Sequence, residues 1–279
     1  MDSSTAPDAD AAPVTAPAAD IAVPNGVFAL KVLSVRHYTD RLFSFRVERP
    51  ASFRFRSGEF VMISLPAETK PIYRAYSIAS PSWDEEIEFF SIKVPGGPLT
   101  EHLQKITPGD SIWMRQKPTG TLVLDCLVPG KRLFMLSTGT GVAPFASLVR
   151  DPDAYEMFDA LVLTHTCREG AELQYGRDVV TTAKDDPLVG EFATDRLHHF
   201  ASTTREQSDC MGRVTALIET GELFDRLSMS PLDPEHDRVM LCGSMDMINE
   251  LKEMLEARGF EEGANNKPAT FVVERAFVG

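Results

Sequence analysis

The chain has 279 residues, 43% apolar and 25% charged, which suits one large soluble domain or two modest ones with real cores. No run approaches the roughly 18 apolar residues of a membrane span, and a net charge of −13 excludes the basic footprint that nucleic-acid binding requires. Cys126, Cys167, Cys210 and Cys242 are widely spaced with no CxxC pair, which argues against a disulfide framework, a metal site or an iron–sulfur cluster and suits a reducing, cytoplasmic setting.

Residues 1–25 form a segment of their own. It holds four Asp and no Arg, Lys or aromatic residue, amid Ala and Pro. Neither a signal peptide nor a transit peptide has that composition. A segment so poor in apolar bulk is expected to be a disordered tail.

Residues 26–127 read as a β domain. The runs FALKVLSV, LFSFRVE, EFVMISL, YRAYSIAS, IEFFSIKV and SIWMRQ are short and rich in Val, Ile and Phe. Turn signals such as Arg56-Ser57-Gly58-Glu59 and Pro108-Gly109-Asp110 separate them. Short strands at regular intervals predict an antiparallel barrel or sandwich. The single helix-like stretch is 99–106.

Residues 128–279 alternate apolar runs with helical segments: RLFMLS, ALVLTHT, HHFAST, RVMLC and TFVVERAFV are the strands. That alternation predicts βαβ units around a parallel sheet. A helix is expected over 245–258, with Met247, Ile248, Leu251, Met254 and Leu255 at core spacing and Gly259 past its end. Charge divides unevenly along the chain. Residues 26–125 carry thirteen Lys+Arg against eleven Asp+Glu, and residues 126–279 carry fifteen against twenty-six. An acidic partner docking on the first half would fit this, and so would ordinary solvated faces.

Three segments carry candidate chemistry. Arg74-Ala75-Tyr76-Ser77 offers a planar fork for phosphate and a flat ring for an aromatic system. Gly96-Gly97-Pro98-Leu99-Thr100 lets backbone approach a ligand closely at a helix start, though a plain turn explains it as well. Thr138-Gly139-Thr140-Gly141-Val142-Ala143-Pro144 follows a predicted strand and precedes a helix, the context of a dinucleotide-phosphate loop. It reads GxGxxP, a variant of the usual fingerprint. The six histidines show no metal-binding pattern, and His198 and His199 point to opposite faces of one strand.

RAYS, GGPLT, GTGVAP, CGSMDM and FVVERAFVG, in this order, resemble the ferredoxin–NADP(+) reductases of the plant-type superfamily, and within it the bacterial ferredoxin/flavodoxin reductases. The resemblance spans residues 27–279. It implies an antiparallel FAD-binding β-barrel followed by an α/β parallel-sheet NADP-binding domain. It also implies hydride transfer between NADP(H) and the flavin, coupled to one-electron exchange with ferredoxin or flavodoxin docked near the FAD edge. A monomer is expected.

The same resemblance implies the roles of individual residues. Tyr76 would stack on the isoalloxazine, with Ser77 near N5 and Ala75 beside them. Arg74 and the Gly97-Pro98-Leu99-Thr100 turn would hold the FAD pyrophosphate, and Ile92, Lys93 and Val94 would line the same site. Thr138, Gly139, Thr140 and Gly141 would hold the NADP pyrophosphate. Cys242 and Gly243 would adjoin the nicotinamide. Thr204, Arg205 and Arg213, with Arg168 nearby, would bind the 2′-phosphate that distinguishes NADP from NAD, as cationic and hydroxyl donors should. Glu274 would act near the flavin. Ala276 occupies the place of a terminal aromatic residue in plant members, and Phe277 would pack on the FAD adenine. Two readings compete with this one: an NADPH-dependent reductase of free flavin or small acceptors, and an FAD redox sensor without turnover.

Overall fold

The computed structural model describes residues 21–275, apart from the side chain of Arg275. Ala276 and Phe277, and most of the expected tail, lie outside the described residues.

Six strands build the first domain: β1 (Val27–His37), β2 (Leu42–Glu48), β3 (Phe60–Ser64), β4 (Arg74–Ser77), β5 (Glu86–Ile92) and β6 (Ser111–Arg115). They form one antiparallel sheet in the order β4-β3-β6-β1-β2-β5. β1 makes the sheet curl. Its first half pairs with β6 and its second half with β2, with a register irregularity between Val32 and Ser34. Such a break bends a strand and raises its twist, which lets one strand serve both halves of a barrel. The barrel nearly closes where the chain leaving β4 meets β5, with the Ala79 amide donating to the Glu88 carbonyl at 2.9 Å. Alternating side chains of Phe43, Phe45, Val47, Val61, Ile63 and Phe89 fill the interior. The expected helix over 99–106 contracts to one turn, α1 (Thr100–Leu103), anchored by buried Leu103.

A short 3₁₀ turn at Leu124–Cys126 precedes the second domain. Its strands are β7 (Arg132–Thr138), β8 (Ala160–Cys167), β9 (Leu197–Thr203), β10 (Asp237–Gly243) and β11 (Phe271–Arg275). All pairings are parallel and the order is β11-β10-β7-β8-β9. The helices α2 (Ala143–Leu148), α3 (Pro152–Met157), α4 (Gln174–Lys184), α5 (Gly190–Arg196), α6 (Val214–Glu219), α7 (Glu222–Leu227) and α8 (Met245–Ala257) cover both faces. That coverage explains why the middles of β7 (Leu133 to Leu136) and β10 (Val239 to Cys242) are continuous apolar runs, buried on both sides. α8 is capped by the Ser244 hydroxyl, which accepts from the Met247 amide at 3.4 Å, and it ends before Gly259 at φ +86°. The chain runs outward from β7 to β9 and then returns to the other side of β7, so the connections that leave the paired C-terminal ends of β7 and β10 run in opposite directions. A crevice opens at such a switch point.

The two domains share one core. Leu42, Ala79 and Phe90 of the barrel pack in the same buried cluster as Phe145, Tyr175 and Val179 of the second domain. Tyr175 lies flat on Phe90, with ring centroids 3.9 Å apart and planes 6° from parallel, and Tyr38 meets both rings edge-on. The Arg36–Asp178 ion pair at 2.8 Å crosses the same junction. Truncating the stack by Tyr175→Ala is expected to cost about 3 kcal/mol, read as a lowered urea midpoint with unchanged secondary structure.

Candidate active site

Two adjoining cavities lie at the domain junction. The first, about 600 Å³, runs along β4, with Arg74, Ala75, Tyr76 and Ser77 all on its wall. β4 is an edge strand of the sheet, so both of its faces reach the cavity. Tyr76 is held by packing edge-on against Phe89 and by a 3.2 Å contact between its hydroxyl and that of Ser91. Burial raises its phenol pKa, so the ring is neutral. Arg74 donates to the Tyr73 carbonyl at 3.0 Å. Opposite it, Gly97, Pro98, Leu99 and Thr100 complete the wall, together with Ile92 and Val94. Gly97 has no substitute: a Cβ there would lie 2.3 Å from the Thr100 hydroxyl.

The last strand closes this cavity from the other domain. Pairing of Cys242 with Glu274 aligns β11 on β10, and the Thr121 hydroxyl donates to the Val273 carbonyl at 2.8 Å. Glu274 is thereby brought to the cavity wall beside Ser77. Its Oε2 is buried without a hydrogen-bond partner in the protein. Burial pushes the carboxyl up to about 7, with Glu59 adding to the rise, while the Thr121 backbone and the Ser77 hydroxyl pull the other way.

The second cavity, about 420 Å³, sits over the switch point. Thr138, Gly139 and Thr140 form its floor. The loop is fixed by contacts with the end of β10: the Ser244 amide donates to the Thr138 hydroxyl at 2.9 Å. Gly141 itself lies against β10, where a Cβ would come within 2.2 Å of the Cys242 carbonyl. From below, Nε2 of fully buried His165 sits 2.9 Å from the Gly139 carbonyl. Burial lowers that imidazole to about 4, so it stays neutral and donates. The cavity is also lined by Arg168, Thr204 and Arg213, and Arg213 pairs with Glu250 at 2.7 Å.

Five of the residues singled out in the sequence stand off the cavity walls, Gly141 among them. Cys242 is 1% exposed and packs in the shared core. Burial, helped by Glu274, raises its thiol pKa well above the usual value. Gly243 packs on the Thr138 hydroxyl. Lys93 lines neither cavity, and Arg205 contributes its amide to the Arg168 carbonyl at 3.0 Å. Conversely, Phe90, Thr121 and Asn265 line the first cavity, and Arg41 and Glu172 the second, with no local motif to single them out.

The residues around the first cavity fit a flavin dinucleotide: a wide cleft, a buried aromatic phenol, an arginine fork, a glycine-bared turn and an orphaned carboxyl oxygen. The Glu274 shift also sets a pH dependence. Its folded-state value of about 7 exceeds the ordinary 4.5, so the folded protein holds a proton that the unfolded chain releases across that interval. Stability from this group is therefore present at acid pH and lost as pH rises towards 7. Glu274→Gln is expected to flatten that slope in flavin-stripped protein, by at most about 3 kcal/mol, in unfolding measured from pH 5 to 8.

Comparison with known proteins agrees with this geometry. Residues 31–123 match the oxidoreductase FAD-binding domain and residues 135–253 the oxidoreductase NAD-binding domain. A flavodoxin/ferredoxin–NADP reductase of Rhodobacter capsulatus is 56% identical over 90% of this chain and 93% of its own. A ferredoxin–NADP reductase of Azotobacter vinelandii is 45% identical over 89% of this chain and 96% of its own. Among solved structures, a ferredoxin NADP+ reductase from Neisseria gonorrhoeae with bound FAD and NADP superposes with a TM-score of 0.82 at 27% identity, over 91% of this chain and all of its own. With 56% identity over nine-tenths of the chain and the same two-domain architecture, the protein belongs to the bacterial ferredoxin/flavodoxin–NADP reductase family.

Proposed function

We propose that the chain transfers hydride between NADP(H) and a bound FAD and exchanges single electrons with ferredoxin or flavodoxin. One observation carries this reading: the two cavities share Ile92 and Thr140, so a nicotinamide dinucleotide lying in the second extends into the first. FAD, when bound, supplies a centre that accepts two electrons as hydride and gives them up one at a time.

The chain's own residues bind, orient and protect. Arg74 and the Gly97-Pro98-Leu99-Thr100 turn hold the FAD pyrophosphate, and Tyr76 with Ile92 and Val94 hold the flavin ring. Lys93 acts through its backbone, by fixing the turn opposite. Ser77 and Glu274 stand together at the junction of the domains, where a carboxyl titrating near 7 can hold or release a proton beside the ring. Thr138, Gly139, Thr140 and Gly141 hold the NADP pyrophosphate. The backbone of Cys242 and Gly243 seats the nicotinamide, and the enclosed thiol fills space behind it. Arg213, Thr204 and Arg168 receive the 2′-phosphate, with Arg205 at the rim. The electron carrier docks near the FAD edge on the barrel, whose residues 26–125 are net basic while residues 126–279 are strongly acidic. A monomer in a reducing, cytoplasmic setting suits four free, buried cysteines. Among the described residues no helix is long and apolar enough to cross a membrane.

Anaerobic rapid mixing tests the reading. NADPH is expected to bleach the flavin band quickly and NADH feebly, and reduced protein should pass electrons to ferredoxin or flavodoxin more slowly as salt rises. A flavin that neither nucleotide reduces would sink it. Arg213→Ala is expected to raise the KM for NADPH about tenfold and leave that for NADH unchanged, since only NADPH carries the extra phosphate.

A further inference from the structure

The second cavity receives a cation that no glycine-rich loop or strand end of its own domain provides. Arg41 belongs to the turn between β1 and β2, in the barrel, yet it lines the cavity over the NADP-binding loop. The turn is built to hold it there. The Thr39 hydroxyl accepts from the amides of Arg41 and Leu42 at 3.1 and 3.0 Å, and the Arg41 carbonyl accepts from the Lys93 amide at 2.7 Å. Leu42 is buried in the core shared by the two domains, and Tyr38 packs edge-on against Tyr175.

The Arg41 side chain has only a loose partner. Its Nη1 stands 3.6 Å from Glu172 Oε1, well beyond the roughly 2.8 Å of a charge-assisted hydrogen bond. The other Glu172 oxygen is engaged as a cap, accepting from the Arg168 and Glu169 amides at 2.9 and 3.3 Å. Arg41 remains 45% exposed at the cavity wall. Among the described lining residues Arg41, Arg168 and Arg213 are cations and Glu172 is the one acid, although residues 126–279 as a whole are strongly acidic. Positive charge collected at one place on an acidic domain marks an anion site.

Register decides which phosphate Arg41 meets. Leu42 pairs with Ile92, and Ile92 is shared with the flavin cavity, so Arg41 enters from the flavin-proximal side. Thr204 and Arg213, proposed for the 2′-phosphate, line the second cavity and not the first. We propose that Arg41 binds the pyrophosphate of NADP(H) from the barrel side, so that the dinucleotide is gripped between a turn of the flavin domain and residues 138–141 of the other. Arg41 adds affinity for any nicotinamide dinucleotide and no preference for NADP over NAD. This inference rests on the proposed binding of NADP(H) across both cavities.

The test uses the FAD-loaded full chain and the flavin difference spectrum as readout. Wild type, Arg41→Ala and Arg41→Gln are titrated with NADP+, and 2′-AMP, which has the 2′-phosphate but no pyrophosphate, is run as a competitor. Arg41→Gln keeps the stem length should the alanine variant fold poorly. The expected result is a loss of about tenfold in NADP+ affinity in both variants, with 2′-AMP binding and the unperturbed flavin spectrum unchanged. Equal weakening of NADP+ and 2′-AMP would overturn the proposal by placing Arg41 at the 2′-phosphate. Unchanged NADP+ affinity would reduce Arg41 to a partner of Glu172 and overturn it too. A wild type that fails to bind NADP+ would instead refute the underlying function.

Discussion

The stack of Tyr175 on Phe90 is the contact on which the active site depends. Neither cavity exists within one domain. The flavin cavity takes β4 and the Gly97 turn from the barrel and Glu274 from β11, and the nucleotide cavity takes Arg41 from the barrel. Each wall is useful only if the two domains keep one relative position to within a fraction of an ångström. A flat aromatic contact inside a common core provides that, because close-packed interiors yield little. The surrounding ion pairs, whose arginines stay about half exposed, add direction more than stability.

Electrostatics is divided between the cavities by the same architecture. Among the described lining residues the flavin cavity has one carboxyl, Glu274 of the second domain, raised to about 7 by burial. At neutral pH such a carboxyl is partly protonated, whereas one in water is almost fully ionised. The nucleotide cavity collects arginines at the C-terminal ends of parallel strands, where loop amides also point. The Arg213–Glu250 pair is half exposed and so inexpensive to break.

His165 and Gly141 show how the loop of residues 138–141 is held from the protein side. Gly141 lies against the Cys242 carbonyl, and a neutral buried imidazole supports the Gly139 carbonyl from beneath. These protein contacts fix the backbone of residues 138–141.

By itself the sequence determined the elements and the chemistry that local pattern encodes. Alternating Val, Ile and Phe runs gave the six barrel strands, and continuous apolar runs gave the five parallel ones, because burial on one face or two leaves different periods. RAYS, GGPLT and GTGVAP were singled out for residue types suited to phosphates and rings, and only their order along the chain, through the family resemblance, implied roles for them. α4 and α5 were hidden in a stretch that reads as polar, since only Tyr175, Val179 and Ala183 mark the buried face of α4. Tertiary structure alone decided the rest. It buried the Cys242 thiol, turned Lys93 away from the cavities, and left Arg205 contributing only its amide to the Arg168 carbonyl. It also brought Arg41, Phe90 and Asn265 to cavities whose other walls lie far along the chain. The physical reason is that a side chain's chemistry is fixed by its own atoms, whereas its burial and its partners are set by segments distant in sequence, which no local pattern records.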